Sequence, residues 1–337
     1  MTTRTRFVLS SLATGLLAAS VLSGCSQSNA AGPTTTATPR ASTSPTQTRP
    51  TQSVSSRTST ASPATSRTDP APAVSRSTLP RGGRTILGTY RIVAYYGGPD
   101  GPALGVLGSQ APEQIAATIA DRAEEYASFG KKLQPAMELI ASVAQGGPGP
   151  DGRYSETIPV ADVQRYLDVA HEHKMLLILD FQPGRGEFLP QVQYFERFLR
   201  DPSVSVALDP EWKMGPGEVP GTVIGSSSAS SINAVGRYLA GIVAAQHLPD
   251  KLMIVHQFRL LMLPDRDQIS QQKGIELVFH ADGFGSQSEK LATWHALAFP
   301  GRPDGAGFKL FLRQDTDLMT PAQVMALRPQ PDVVTYQ

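Results

Sequence analysis

Short apolar runs punctuate the chain beyond its first eighty residues. They are RIVAYY (91–96), PAMELIASV (135–143), KMLLILDF (174–181), SVSVAL (203–208), KLMIVHQF (251–258), IELVFH (275–280), GFKLFL (307–312) and PDVVTY (331–336). Several are continuous rather than alternating, the pattern of strands buried on both faces in a parallel sheet. The segments between them place apolar residues three and four apart, which predicts helices. The clearest is 111–130, with Pro112 near its start and Gly130 as its stop. Further helices are expected over 160–174, 189–200, 231–247 and 286–298. Segments 263–274 and 320–328 read as shorter, weaker helices.

Strands alternating with helices predict an α/β fold with a parallel sheet, and eight strands close a (β/α)8 TIM barrel. The competing open, doubly wound sheet would carry a G-x-G-x-x-G turn after its first strand. Here that strand leads into YYGGPDGPALGVLG, which has a different spacing and opens no helix. The barrel domain is expected to span 81–337. No eighth helix follows the last strand, and TILG (85–88) is expected to cover the gap.

The N-terminal part has a different composition. Arg4 and Arg6 precede an apolar run from Phe7 to Leu22, too short for a membrane span, so residues 1–24 read as a signal peptide. The stretch Leu22-Ser23-Gly24-Cys25 resembles the lipobox of bacterial lipoproteins. The resemblance implies cleavage before Cys25, a lipid on its sulfur, and an extracytoplasmic protein anchored to the bacterial cell membrane. The chain has Cys 1, so this lipidation would consume its only thiol. Residues 25–80 are almost wholly Ser, Thr, Pro and Ala with scattered arginines. Such a segment buries too little apolar surface to offset its ordering entropy and is expected to be a disordered tether. A formal net charge of +1 gives no electrostatic signature of a nucleic-acid partner.

Barrel chemistry sits at the C-terminal ends of the strands. In chain order those ends offer Tyr95 and Tyr96; Ser142 and Gln145, with Glu138 further down; Asp180 and Gln182; Asp209, Glu211 and Trp212; His256 and Gln257; His280 and Asp282; Arg313 and Asp315; and Tyr336. The strand bodies are read as apolar, and charges at strand bottoms, such as Lys174 and Lys251, as solvated ends.

Within this set VALDPEWKMG (206–215) carries the sharpest chemistry. Side chains two apart on a strand share a side, so Asp209 and Glu211 could both face the mouth. Close carboxylates do not ionise independently. One is pushed toward its protonated form, as a general acid near neutral pH requires. Pro210 fixes the corner, and Trp212 offers an apolar wall or a stacking surface for a sugar.

This Asp-x-Glu at the end of the fourth barrel strand resembles the corresponding motif of family 18 chitinases and the acidic pair of family 25 lysozymes. The resemblance implies that Glu211 protonates the leaving oxygen. From the chitinases it implies that Asp209 orients the substrate's own N-acetyl group. It covers that strand end and the barrel pattern; the further aspartates that precede the pair in the chitinases are replaced by Ser203–Val206. Alternatively, Glu211 works with a carboxylate from another strand, either Asp180, Asp282 or Asp315.

The expected function is therefore a cell-surface glycoside hydrolase acting on a carbohydrate of the envelope or environment. Glu211, Asp209, Asp180 and Asp282 are its catalytic candidates. Tyr95, Tyr96, Gln182, Trp212, His256, His280, Asp315 and Tyr336 are its substrate-binding candidates. No cofactor and no metal is expected. His256, His280 and Asp282 could ligate zinc, but the chain lacks the His-x-His on strand one typical of metal-dependent hydrolase barrels. His171-Glu172-His173 reads as a helix end, GSSSASS (225–231) as a loop with an N-cap for a helix at Ser231, and Trp294 as core. The alternatives are a barrel that binds a glycan or partner without catalysis, and a metal-dependent deacetylase or phosphodiesterase.

Overall fold

The computed structural model describes residues 77–297 and 305–337. The signal sequence, Cys25 and the Ser/Thr/Pro-rich segment up to residue 76 lie outside the described residues. In chain order the strands are β1 (Tyr90–Gly97), β2 (Lys132–Ala144), β3 (Ser155–Thr157), β4 (Leu176–Phe181), β5 (Val204–Leu208), β6 (Lys251–Gln257), β7 (Ile275–Ala281), β8 (Gly305–Leu310) and β9 (Val333–Tyr336). They form one sheet in the order β1-β9-β8-β7-β6-β5-β4-β2-β3, and β1 also pairs with β2. That extra parallel pairing closes the barrel, with Ala94 opposite both Ala136 and Thr335. The short β3 pairs antiparallel to the upper end of β2 and stands outside the ring. Every run expected to be a barrel strand is one.

Strand periodicity then sorts the core into two. One face of each barrel strand, carrying for example Val93, Leu177, Val255 and Val334, packs with the helices into an outer cluster. Those helices include α1 (Pro112–Glu124), α2 (Val160–Glu172), α3 (Phe188–Tyr194), α4 (Glu196–Leu199), α5 (Ala229–Gln246), α6 (Gln287–Leu297) and α7 (Pro321–Ala326). The other face, with Ile92, Ile178, Ile254 and Val333, makes a second cluster inside the barrel. Among the described residues no helix is long and apolar enough to cross a membrane.

Leu79 and Ile86 belong to the inner cluster, not the outer one. The segment before β1 therefore plugs the barrel floor. It does not stand in for the missing eighth helix, as had been expected of TILG. Glu276 on β7 holds it there by accepting from the backbone N–H groups of Ile86 and Leu87, each at 2.6 Å.

Other elements differ from expectation for local reasons. Segment 263–274 forms only a single 3-10 turn at Arg266–Gln268. Arg266 is buried with its guanidinium 3.7 Å from the Phe279 ring centroid, and Asn233 of α5 straps the backbone at Gln268 and Ser270. The helix expected over 189–200 breaks at Phe195, whose ring is buried against Phe181 and Phe198. Helix α5 starts at Ala229, two residues before the expected Ser231, and its cap is Ser228 of the GSSSASS stretch, which accepts from the N–H of Ser231 at 3.3 Å. Trp294 is core, edge-on to Phe308. His171 pairs with Asp201 at 3.0 Å on the side of the molecule away from the strand ends.

Candidate active site

The upper half of the barrel interior is filled with charge. Continuing the inward-facing register above the apolar floor gives Tyr96 on β1, Glu138 on β2, and Asp180 and Gln182 at β4. The same register gives Asp209 after β5, His256 on β6, His280 and Asp282 at β7, Lys309 on β8 and Thr335 on β9. All are buried. A β-bulge between Ile140 and Ser142 shifts the register, so Ser142 stands beside outward-facing Phe181 and its hydroxyl donates to Gln191 Oε1 on α3 at 2.6 Å. Gly307 on β8 makes room for the His280 ring, which a Cβ there would overlap.

These side chains form a connected network. His256 Nε2 lies 2.9 Å from Glu138 Oε1, and His256 Nδ1 lies 3.0 Å from Asp282 Oδ2. Lys309 Nζ donates to Asp282 Oδ2 at 3.1 Å and sits 3.6 Å from the centre of the Tyr96 ring. The Tyr96 hydroxyl donates to Asp180 Oδ2 at 3.1 Å and accepts from Gln182 Nε2 at 3.1 Å. Thr335 donates to Glu138 Oε2 at 3.0 Å and bonds His280 Nε2 at 3.0 Å. Asp180 Oδ1, Asp209 Oδ1 and Asp282 Oδ1 are buried without a hydrogen-bond partner.

Above the network a cavity of about 620 Å³ opens at the strand ends. Glu211 and Asp282 both line it, with Gln182, Lys309 and the aromatic rings of Tyr96, Trp212, Phe258, Phe284 and Phe311. Glu211 is carried by the 3-10 turn Pro210–Trp212 that caps β5, and it is half-buried. The turn is braced because Glu211 O accepts from Gly225 N–H at 2.7 Å.

No protein-family model and no curated protein matches the chain. The site has therefore to be interpreted from its own chemistry.

Burial disfavours the charged form of each acid, and the neighbours then separate them. Glu211 is pushed up to about 7, by burial first and then by the charge of Asp282. Asp180 is also pushed up to about 7 by burial. Asp209 is held well above the carboxylate range by burial and by Glu211. Asp282 goes the other way. Burial would raise it, but Lys309 and His256 outweigh that and hold it well below the usual range. Glu138 is likewise lowered against burial, chiefly by His256. His256, despite burial, is held well above the usual imidazole value by Glu138 and Asp282, while burial and the charge of His256 push His280 down to about 3. A carboxyl poised to hold a proton near neutrality and a carboxylate kept ionised thus line the same cavity. This is the division of labour that acid–base chemistry on a buried bond requires.

The structure brings together most of the residues picked from the strand ends, and separates a few. Glu211, Trp212, Tyr96, Gln182 and Asp282 reach the cavity wall. Asp180, Asp209, His256 and His280 lie within the barrel among the buried polar residues. Tyr95 and Tyr336 fall on the opposite parity and pack outward with the helices, the Tyr336 hydroxyl 2.6 Å from that of Tyr126. Asp315 is occupied as a clamp. It accepts from the N–H groups of Phe311 and Gly285 at 2.9 and 3.1 Å and pairs with Lys290 at 3.0 Å.

Lys309, Thr335 and the role of Glu138 were not anticipated. Their signal was a polar residue inside an apolar run, GF-K-LFL and PAM-E-LIA, where a strand body should have none. Lys251 departs from expectation in the same way. It is not a solvated strand end but fully buried, donating to Asp201 O and Val204 O at 2.7 and 2.6 Å.

Proposed function

We propose that this chain is a glycoside hydrolase in which Glu211 is the general acid and Asp282 the ionised partner, held by Cys25 lipidation at the outer face of a bacterial membrane. The observation that carries the reading is the pairing of these two carboxyl groups on one aromatic-walled cavity. Glu211 protonates the departing glycosidic oxygen. Asp282, fixed through Oδ2 by Lys309 and His256, lines the same cavity and attacks the anomeric carbon or takes a proton from water. Trp212 and the phenylalanine rings present the flat apolar surfaces on which sugar rings stack. Asp209 is absent from the cavity lining and leans on Glu211 from below, which favours the two-carboxylate mechanism over one in which Asp209 orients an N-acetyl group.

The test begins with a screen of N-acetylated and non-acetylated glycans. On a hit, Glu211→Gln should lower turnover by roughly 10²–10⁴. Activity should be largely restored on an aryl glycoside whose leaving group needs no proton. The unmutated rate should fall as pH rises past about 7, where Glu211 loses its proton, and that limb should vanish in the variant. Unchanged turnover in Glu211→Gln would mean that Glu211 is not the general acid, and no turnover of any glycan that binds would leave the cavity a binding site, as in a non-catalytic glycan-binding barrel.

A further inference from the structure

Below the cavity floor lies a second arrangement that the hydrolytic reading does not use. Glu138, Asp180 and His256 each offer one ligand atom, these atoms lie within 4.8 Å of one another, and all three residues are buried. His256 Nε2 is 2.9 Å from Glu138 Oε1 and 3.8 Å from Asp180 Oδ1. Donors roughly 3 to 4 Å apart are what an ion bound at roughly 2.0–2.2 Å to each would need.

The remaining atom of each carboxylate is held by a hydrogen bond, and that of His256 lies in ion-pair range of an acid. Thr335 holds Glu138 Oε2, Tyr96 holds Asp180 Oδ2, and Asp282 sits 3.0 Å from His256 Nδ1. A carboxylate this close to Nδ1 favours a proton there and leaves the Nε2 lone pair to a metal, and such outer partners are the usual support of ligating side chains. Asp180 Oδ1 is buried, lies 3.8 Å from His256 Nε2 and has no hydrogen-bond partner, an unexplained cost for an oxygen of a carboxyl group with no access to water.

We infer that Glu138, Asp180 and His256 form a binding site for a divalent first-row transition ion, directly beneath the cavity. Two carboxylate oxygens with one imidazole nitrogen suit Mn²⁺ or Zn²⁺ better than Mg²⁺ or Ca²⁺, which prefer all-oxygen shells. The ion takes the place of the proton that His256 Nε2 shares with Glu138, and that proton leaves to solvent. This inference stands apart from the hydrolase reading, since no step assigned to Glu211 or Asp282 needs the ion.

The full chain, stripped with chelator, is titrated with MnCl₂ or ZnCl₂ while bound metal is counted by mass spectrometry and the melting temperature is followed. About one ion per chain and a rise in Tm are expected. Co²⁺ in the same site should give absorption bands of mixed nitrogen and oxygen ligation. Asp180→Asn should abolish uptake. Tyr96→Phe and Thr335→Val, which keep the packing, should each weaken it by about 10–100-fold. His171→Ala, removing an exposed imidazole elsewhere, should change nothing. No uptake by the unmutated chain, or uptake undiminished in Asp180→Asn and Tyr96→Phe together, overturns the site. Neither result bears on Glu211→Gln, so the two readings fail separately.

Discussion

Lys251 illustrates how a residue's place in the register outweighs its type. It begins β6, where a lysine would normally reach water, yet its ammonium group is enclosed and its pKa is pushed down to about 7 by burial. The unfolded chain then holds more protons than the folded one between about 7 and the ordinary lysine value, so stability should rise with pH through that window. The slope is about 1.4 kcal/mol per pH unit at most. In Lys251→Met the slope should disappear, so the Tm difference between the unmutated chain and the variant should shift in favour of the unmutated chain from pH 7 to pH 9. A pH-independent difference would mean that the lysine is solvated. The same logic explains what the sequence disclosed about the site. Asp180, Glu211 and Asp282 end strands and are visible as polar residues where apolar runs stop. Tyr95 and Tyr96 end one together, and only the phase of the strand, set by closure of the barrel, decides which of them looks inward. Lys309 and the role of Glu138 are hidden because a polar residue inside an apolar run looks like an exception until the run is known to line a charged interior.

At the level of elements, continuous apolar runs identified every barrel strand because a strand buried on both faces has few other ways to be written. Helices were legible where an apolar stripe persisted, as in α1 and α2, and not where one side chain redirected the chain. Phe195 turns inward and ends α3, and Arg266 stacks on Phe279 where a helix had been expected. The plug before β1 was misplaced for a related reason: TILG is too short to show a period, so its apolar residues could serve either face. Its position inside the barrel makes a definite prediction. Ile86 is fully buried among inward-facing residues such as Ile92, Ile254 and Val278. Ile86→Ala should cost about 2–5 kcal/mol, the range for truncating a buried aliphatic side chain to alanine. Loss of a surface covering in place of the eighth helix would cost far less. Thermal or urea unfolding distinguishes the two.

For the molecule as a whole, the barrel separates two tasks along its axis. The floor and the outer shell are apolar and supply the driving force for folding. The upper interior holds charge that contributes little to stability and whose half-made pairs are costly. A fold can carry such a site only if the remainder closes securely, and here closure includes the residues just ahead of the expected domain start at Arg81. Leu79 is buried on the floor, its N–H donating to Gly83 O at 3.0 Å, and Arg84 donates to Ser77 O at 2.6 Å. The self-sufficient unit should therefore begin near Ser77. A chain starting at Ser77 should melt with one starting at Ser26, whereas one starting at Gly82, which loses Leu79, should melt several degrees lower, since about 1 kcal/mol moves Tm by roughly 2–4 °C in a domain of this size. If removing residues 26–76 lowers Tm as well, that segment packs on the barrel and is more than a tether. In cells, the chain starting at Ser77 behind a cleavable export signal that lacks the lipobox should also leave the membrane fraction. If it remains there, the barrel itself holds the membrane, and Cys25 is not the sole anchor.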